Sequence, residues 1–334
     1  SYVVINAQNT TFYNNSASDG GGGALRYFGC SSELINNRLW FNTASGSTSV
    51  GGGGLHSTSS KVNLYANEIY MNRAEAGLGG GILFDLQDSV VSFENNNVSS
   101  NVALTHGGGI AATADVNITM RHSKFQANSA GLSGGGLSLL DGSFCHMTSV
   151  DLNANTAHVQ GGGIFASSAS AKKSSLVADE CVFTWNVART GNGGAVSLLR
   201  SVGTFEKLRT SKNLAYGSGG GIYAGEESEL SLHTSVLNNN SALRGGGGAI
   251  ALKNSIDVKI DASRFEKNIV DLKNAQGSAI YVVSSLRVKI VSSKFYGHGA
   301  GQVDSMVGGL MYVSAKSKVD IFDSILSRAN ARVK

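Results

Sequence analysis

The chain of 334 residues holds 44 glycines and no proline, carries charge on 15% of its residues and has a formal net charge of +4. Proline cannot donate to a β-ladder, so its absence suits a chain that is strand almost throughout. Nucleic-acid binding calls for clustered Lys and Arg beside aromatic platforms, and a membrane span calls for about 18 or more consecutive apolar residues. We therefore expect neither nucleic-acid binding nor a membrane span, and we expect no cofactor.

A glycine signature recurs along the chain at intervals of about 28 residues and reads Gly-Gly-(Gly/Ala)-aliphatic. Glycine enters left-handed backbone freely and leaves room for a close neighbour, so we predict a tight corner at each copy. A phosphate-binding loop would need a helix to follow the glycines, whereas these glycines open strands. The aliphatic residues of the copies are Leu25, Leu55, Ile82, Ile110, Leu137, Ile164, Val196, Ile222, Ile250 and, in degenerate copies, Ile280 and Leu310.

An asparagine signature, Phe/Leu/Ile-x-x-Asn, alternates with the glycine signature. Its residues are Asn15, Asn42, Asn72, Asn101, Asn128, Asn155, Asn186, Asn213, Asn240 and Asn268, with His298 in the eleventh place. Asparagine tolerates left-handed backbone and bonds to local backbone groups, and stacked amides can donate and accept along a cross-β ladder. We predict a structural asparagine ladder at a second corner.

Apolar and polar residues alternate between the signatures, as in Val116–Met120 and Leu230–Leu232. This period of two indicates strands, and self-similarity at a period of 20–50 residues indicates a solenoid. The fold class is therefore all-β, a right-handed parallel β-helix of about eleven coils of 27–32 residues, with three short strands per coil. We expect one solenoid over residues 1–334 that is a segment of a longer protein, because the chain starts and stops in mid-repeat.

Two inward columns should run along this solenoid. The inward Phe or Leu before the asparagine should form a continuous apolar spine, in which Phe12, Phe125, Phe183, Phe265 and Phe295 stack. A column of smaller residues two positions earlier holds Ser123, Val150, Cys181, Ser235, Ser263 and Ser293. We expect Cys30, Cys145 and Cys181 to serve as small buried apolar residues, while a disulfide remains an alternative.

The two signatures together resemble the repeats of the chlamydial polymorphic outer-membrane proteins, Gly-Gly-Ala-(Ile/Leu/Val) and Phe-x-x-Asn. Gly22–Leu25, Gly193–Val196 and Gly247–Ile250 match the first repeat strictly, and Phe12–Asn15 and Phe125–Asn128 match the second. The resemblance covers essentially the whole chain and implies a pectin-lyase-like β-helix with an adhesive or structural role on a cell surface. It carries over no catalytic residue, because the repeat motif contains none.

An enzymatic function would need carboxylates that this pattern does not bring together. A glycosidase uses two carboxylates about 5–10 Å apart on one face. Asp19 and Asp141 stand at different phases of the repeat, and nothing acidic aligns with Asp85 and Asp88 in adjacent coils. The histidines show no spacing typical of a metal site, and His298 falls in the asparagine column. We therefore predict neither catalytic nor metal-binding residues.

We expect a non-enzymatic extracellular or cell-surface protein that is structural or adhesive: a stalk, a filament component or an adhesin. Its expected partners are other protein segments or subunits, packed end to end or laterally, and cell-surface or matrix glycans, but not nucleic acid. The alternative is a carbohydrate-active enzyme or polysaccharide-binding module. Its binding loops would protrude at the longer coils, residues 166–176 and 272–278.

Five Asn-x-Ser/Thr sequons occur in the sequence, and in this register each asparagine points outward or lies in a turn. They are Asn9, Asn14, Asn97, Asn117 and Asn239. A secreted eukaryotic protein could carry glycans at all five positions, which favours an extracellular location.

Overall fold

The computed structural model describes residues 3–46, 51–271, 276–300, 309–314 and 316–330. All regular structure in these ranges is β-strand, and the strands form sheets of 12, 22 and 11 strands, here named A, B and C. Each strand pairs in parallel with its counterpart one coil later, as Lys61–Tyr65 does with Val90–Glu94. The predicted all-β parallel β-helix of about eleven coils is confirmed.

Sheets A and C each take one strand from a coil. The strands of sheet A are Val4–Gln8, Ser31–Ile35, Lys61–Tyr65, Val90–Glu94, Asn117–Arg121, Phe144–Thr148, Ser174–Asp179, Ser201–Glu206, Glu229–His233, Asp257–Asp261, Val288–Val291 and Val319–Phe322. The strands of sheet C are Leu25–Phe28, Leu55–Thr58, Ile82–Asp85, Ile110–Thr113, Leu137–Leu140, Ile164–Ser167, Val196–Leu199, Ile222–Gly225, Ile250–Lys253, Ile280–Val283 and Met311–Val313.

Sheet B contains two columns of strands. The first column consists of Thr11–Tyr13, Arg38–Trp40, Glu68–Tyr70, Asn97–Ser99, Lys124–Gln126, Asp151–Asn153, Val182–Thr184, Arg209–Ser211, Val236–Asn238, Arg264–Glu266, Lys294–Ala300 and Ile325–Asn330. The second consists of Ser16–Ala17, Thr43–Ala44, Arg73–Ala74, Val102–Ala103, Ser129–Ala130, Thr156–Ala157, Val187–Ala188, Leu214–Ala215, Ser241–Ala242 and Ile269–Val270. The three predicted runs per coil are present, and this two-residue strand after each ladder asparagine is an addition to them.

The core lies inside the rod and is filled by alternate residues of every sheet. In Val90–Glu94 the side chains of Val91 and Phe93 are buried, while those of Val90 and Ser92 face solvent. This alternation matches the pleat of a strand, in which successive side chains point to opposite faces. In the spine of sheet B, Phe265 and Phe295 stack with ring centroids 4.5 Å apart.

The phenylalanines share the spine with aliphatic residues, as expected, but the spine is not apolar throughout. Aliphatic residues separate most of them, and Thr210 is a polar member of the column. The column runs, in order, Phe12, Leu39, Ile69, Val98, Phe125, Leu152, Phe183, Thr210, Leu237, Phe265, Phe295 and Leu326.

Each glycine of the glycine corner is required for a different structural reason. The first glycine of a copy has positive φ, +70° at Gly134, where a side chain would be strained. The second has no room for a Cβ, which at Gly135 would lie 2.3 Å from the carbonyl oxygen of Gly162. The third is less crowded, with 2.9 Å to the nearest backbone oxygen at Gly136. Alanine accordingly replaces glycine at this third position in some copies, as in Ala195.

The eleventh glycine copy is only partly described, because Val307 and Gly308 lie outside the described residues. The strand register pairs Ile280 with Met311. The aliphatic position of this coil is therefore Met311, one residue later than the Leu310 predicted from the sequence.

Candidate functional site

The ten ladder asparagines lie above one another at the corner between the two columns of sheet B. Nδ2 of Asn128 donates to the carbonyl of Val98 at 2.9 Å and to Oδ1 of Asn155 at 3.0 Å. Its Oδ1 accepts from the backbone N–H and from Nδ2 of Asn101, each at 3.0 Å. Both bonds to the next amide oxygen recur at all nine steps. These side chains are occupied within the rod, so they hold it together and do not form a ligand site.

Left-handed backbone occurs at the residue before each ladder asparagine, contrary to our expectation that the asparagine itself adopts it. Ala127, Trp185 and Lys212 have φ values of +53°, +58° and +57°. These residues are exposed at the apex of the corner, whereas the asparagine that follows is buried. The corner therefore presents one variable side chain per coil to solvent.

His298 occupies the eleventh place of the ladder and is fully buried. Its Nε2 donates to the carbonyl of Phe265 at 3.1 Å, which repeats one bond of a ladder amide. Its Nδ1 has no hydrogen-bond partner among the described residues. Burial lowers the pKa of His298, although the hydrogen bond to the carbonyl of Phe265 opposes this shift. The histidine therefore fits as a neutral side chain.

A second amide ladder, which we did not predict, lies at the corner between sheets A and B. The backbone N–H of Asn37 donates to Oδ1 of Asn67 at 2.9 Å, and that of Asn67 donates to Oδ1 of Asn96 at 2.8 Å. The next step reaches Oγ of Ser123, where the column continues with the small residues expected there. The spacing of five residues before Asn42, Asn72 and Asn101 is visible in the sequence and could have revealed it.

An exposed aromatic cluster lies on the outer face of sheet B in the first three coils. Tyr13, Trp40 and Tyr70 share one position, and their ring centroids are 4.2 and 5.5 Å apart along the rod. Phe41 lies 5.3 Å from Trp40, and Met71 follows at the same corner position one coil later. We name these five residues the aromatic ridge. Tyr13, Phe41 and Met71 are each about half exposed.

The aromatic ridge corrects our expectation that no aromatic platform is present. Its rings stack mainly on one another, with 17° between the planes of Trp40 and Tyr70. The faces that these rings turn towards one another are therefore covered, while Tyr13 at the end of the stack stays half exposed. The aligned pairs Phe12-Tyr13, Leu39-Trp40 and Ile69-Tyr70 carried the signal in the sequence.

A polar groove of about 450 Å³ lies on the outer face of sheet A, in the second to fifth coils. Lys61 and Arg121 stand among its lining residues with Asn63, Thr119 and Glu94. Glu94 is the one carboxylate in that lining. Such a groove can hold a polar chain, but a glycosidase mechanism needs a pair of carboxylates.

A buried His–Asp pair lies on the outer face of sheet C. Nε2 of His56 is 3.0 Å from Oδ2 of Asp85 and 3.2 Å from Oγ1 of Thr58. Burial raises the pKa of Asp85, but hydrogen bonds from His56 and Thr58 and the His56 charge outweigh it, so the pKa stays below its ordinary value. A Cβ on Gly21 would come 2.2 Å from Nδ1 of His56. The ring of His56 is therefore packed under the glycine corner, and the side chain of Asp85 is mostly buried beside it.

The remaining acidic and metal-ligating residues do not form a centre. Across the parts of the chain that the structure describes, no three His, Cys, Asp or Glu side chains come together in a group that could hold a metal ion. Within the same ranges no helix has the length and apolarity of a membrane span. The longer coil at residues 166–176 is held against the rod, since Lys173 Nζ lies 2.8 Å from a carboxylate oxygen of Glu229. Residues 272–275 of the other longer coil lie outside the described residues.

The three cysteines are buried and free. Cys145 pairs in register with Ile118, and Cys181 lies in the small-residue column, as expected from the sequence. Burial raises the pKa of the Cys145 thiol and raises that of Cys181 to about 11. These thiols therefore fill the core in their neutral form.

All five sequon asparagines are exposed, namely Asn9, Asn14, Asn97, Asn117 and Asn239. Asn14 and Asn239 stand at the left-handed apex of the ladder corner, with φ of +55° and +50°. Asn97 and Asn117 stand on outward positions of strands. The side chains are thus placed where a glycan would project from the rod.

The comparisons with known proteins concern the fold. A family model described as a right handed beta helix region matches residues 1–177, just over half of the chain. No curated protein and no solved structure matches the chain.

Proposed function

Because the chain belongs to the right-handed β-helix family, we propose that it is a non-enzymatic structural and adhesive rod that lies outside the cell or on its surface. The observation that carries this proposal is the aromatic ridge. Every inward column serves the stacking of the coils, whereas the ridge leaves aromatic surface exposed to solvent. The resemblance of the repeats to chlamydial polymorphic outer-membrane proteins supports the location on a cell surface.

The aromatic ridge is suited to contact another protein surface. Tyr, Trp, Phe and Met are enriched in the cores of protein interfaces, where charged residues are depleted. A sugar ring packs on the open face of an aromatic ring, and the faces of Trp40 and Tyr70 cover each other. An ion pair between Arg38 and Glu68, with 3.0 Å between Nε and Oε2, borders the ridge and provides a polar rim.

The partner we propose is a second copy of this chain, packed side by side. The ridge offers one ring per coil, about 4.8 Å apart, and another rod of this kind offers side chains with the same period. A twofold axis through Trp40 would place Tyr13 of one copy against Tyr70 of the other, which is the self-complementary arrangement of most homodimers. Lateral pairing of this kind gives a stalk of two rods, and a filament would need a second contact in addition.

Light scattering on a sizing column tests this proposal. The wild-type chain should elute with the mass of a dimer or larger assembly, and Trp40→Ser should elute as a monomer. Trp185→Ser is the matched control, since Trp185 is 54% exposed but lies far along the rod with Lys212 Nζ over its ring. A monomeric wild type, or equal loss of mass in both variants, would overturn the lateral pairing.

A polysaccharide-binding module is the second candidate, and the groove on sheet A favours it. Lys61, Asn63 and Arg121 offer charged and polar groups along about 450 Å³ of open space. Incubation with a panel of plant, fungal and animal glycans, followed by detection of new reducing ends or unsaturated products, separates the candidates. Released product would contradict the non-enzymatic proposal, while binding without product that is lost on Lys61→Gln/Arg121→Gln would make the groove a glycan subsite of the rod.

A further inference from the structure

The charge of the chain is concentrated near its C-terminal end. Residues 249–334 hold thirteen lysines and arginines and seven aspartates and glutamates, a net charge of +6. Residues 1–248 hold fourteen and sixteen, a net charge of −2, and together these give the total of +4. The last coils of the rod are therefore basic, while the rest is slightly acidic.

Four of these cations meet on the outer face of sheet A, around a cavity of about 260 Å³. Lys259 and Lys289 occupy the same outward position of neighbouring strands. Arg287 and Lys318 stand just before the strands on which Lys289 and Asp320 lie. We name Lys259, Arg287, Lys289 and Lys318 the basic cluster.

The charges of the basic cluster are only partly neutralised within the rod. Arg287 lies 3.6 Å from Asp257 and Lys318 lies 3.6 Å from Asp320, both exposed ion pairs. Exposed pairs of this kind contribute about 0–1 kcal/mol. Among the described residues Lys259 makes no ion pair, and Nζ of Lys289 lies 5.6 Å over the ring of Phe322.

Two lysines side by side on adjacent strands repel each other, and a bound anion relieves this repulsion. We propose that the basic cluster binds an anionic polysaccharide through its carboxylate or sulfate groups, with the polymer lying along the rod axis. The four cations lie on three successive coils that are about 4.8 Å apart, so a linear polyanion can place successive acidic groups over successive coils. Carboxylate or sulfate oxygens of the ligand replace the weak ion pairs that Arg287 makes with Asp257 and Lys318 makes with Asp320.

Single-stranded nucleic acid is disfavoured as the ligand of this cluster. Proteins that bind it combine a basic groove with open aromatic rings on which bases stack. Here the described lining of the cavity includes no aromatic residue, and the half-exposed ring of Phe322 nearby has Nζ of Lys289 over one face. The proposal uses none of the residues of the aromatic ridge, so it stands or falls separately from the pairing of rods.

Binding of the full chain to immobilised heparin, polygalacturonate, neutral dextran and a DNA oligonucleotide tests the proposal. The wild type should bind heparin or polygalacturonate in low salt and release it as salt rises, because screening weakens exposed charges. Lys259→Gln/Lys289→Gln should weaken that binding about tenfold and flatten its salt dependence. Lys124→Gln/Lys212→Gln removes the same charge from distant coils and should bind as the wild type does. Unchanged circular dichroism and melting temperature would show that both variants are folded.

The pattern across ligands identifies the group that is recognised. Binding to polygalacturonate, which carries only carboxylates, assigns carboxylate, and binding to heparin alone, which carries carboxylates and sulfates, assigns sulfate; either supports the proposal. An equal loss of polysaccharide binding in the two double variants would mean that only the net charge of the chain matters, and it would overturn the site. Tighter binding to the oligonucleotide than to either polysaccharide, with the same dependence on Lys259 and Lys289, would overturn the proposed ligand class, and absence of binding to both acidic polysaccharides would overturn the site.

Discussion

The amide oxygen of Asn101 accepts two hydrogen bonds from Asn72, one from its backbone N–H at 2.9 Å and one from its Nδ2 at 3.0 Å. Nδ2 of Asn101 in turn donates to the carbonyl of Ile69 at 2.8 Å and to the amide oxygen of Asn128 at 3.0 Å. One side chain thus ties together three coils. Since the buried groups have no water to replace these bonds, their loss should be costly.

We predict that Asn101→Ala lowers the free energy of unfolding by at least about 3 kcal/mol, because several buried donors and acceptors lose their partner. Chemical denaturation monitored by circular dichroism measures this change. Asn97→Ala is the control in the same coil, since Asn97 is exposed and should change stability by less than about 0.5 kcal/mol. Equal effects of the two substitutions would contradict the structural role of the ladder.

Adjacent glycines should respond differently to alanine. Gly135→Ala should destabilise the rod by about 1–3 kcal/mol, because its Cβ would meet the carbonyl of Gly162 and the backbone has to shift. Gly136→Ala should be close to neutral, because Ala195 and Ala249 already occupy the same position of other coils. Melting temperatures of the two variants check the prediction, and a reversed order would refute the close approach of the coils.

Stability should fall in mild acid because of His298. Its pKa is lower in the folded rod than in the unfolded chain, so the unfolded chain takes up the proton first. The contribution is therefore full above about pH 6.5 and is lost as the pH falls below that value. His298→Asn removes this proton uptake and supplies an amide to the ladder, so it should raise stability at neutral pH by about 1 kcal/mol.

The measurement for His298 is the melting temperature of wild type and variant as a function of pH. The wild-type curve should drop more steeply in mild acid than that of His298→Asn. The exposed His122 provides the control, since His122→Asn should keep the wild-type slope. A slope that His298→Asn leaves unchanged would mean that this buried ring does not titrate with unfolding.

The thiols should be inert in the folded chain. Cys145 and Cys181 are fully buried, and burial raises the pKa of both, so thiolate, the reactive form, is scarce. A thiol-specific dye at mildly basic pH should label none of the three cysteines in the native protein and all three after denaturation. Rapid labelling of one cysteine without denaturant would contradict the packing of that residue.

The repeated part of the fold was predictable from the sequence, because a stacked solenoid repeats the same environment once per coil. Asn128, Gly134 and Phe125 each contact residues of a neighbouring coil. Aligning the sequence with itself therefore reveals their roles. The left-handed residue at Ala127 was misplaced by one position, because asparagine tolerates that backbone but is needed inside the rod for hydrogen bonds. The hydrogen bonds between coils outweighed the local preference of asparagine for left-handed backbone.

The candidate surfaces were harder to predict, because they depend on what differs between coils. Tyr13, Trp40 and Tyr70 form a ridge only where three coils happen to carry aromatic residues at one outward phase. Lys259 and Lys289 likewise become neighbours through strand pairing, although thirty residues separate them in the chain. A repeat signature contains only what the coils have in common, so it does not show such features. They become visible only when the strand pairing shows which side chains are neighbours.

The central claim is that two rods meet through the aromatic ridge, and disulfide trapping tests it most directly. Phe41→Cys places a thiol beside Trp40, near the proposed twofold axis, whereas the three native cysteines are buried. Under mild oxidation this variant should form a disulfide-linked dimer of twice the 34.5 kDa chain mass on a non-reducing gel. Ala127→Cys, at the same corner position three coils away, should stay monomeric. A Phe41→Cys chain that stays monomeric, or equal dimer from both variants, would contradict the account.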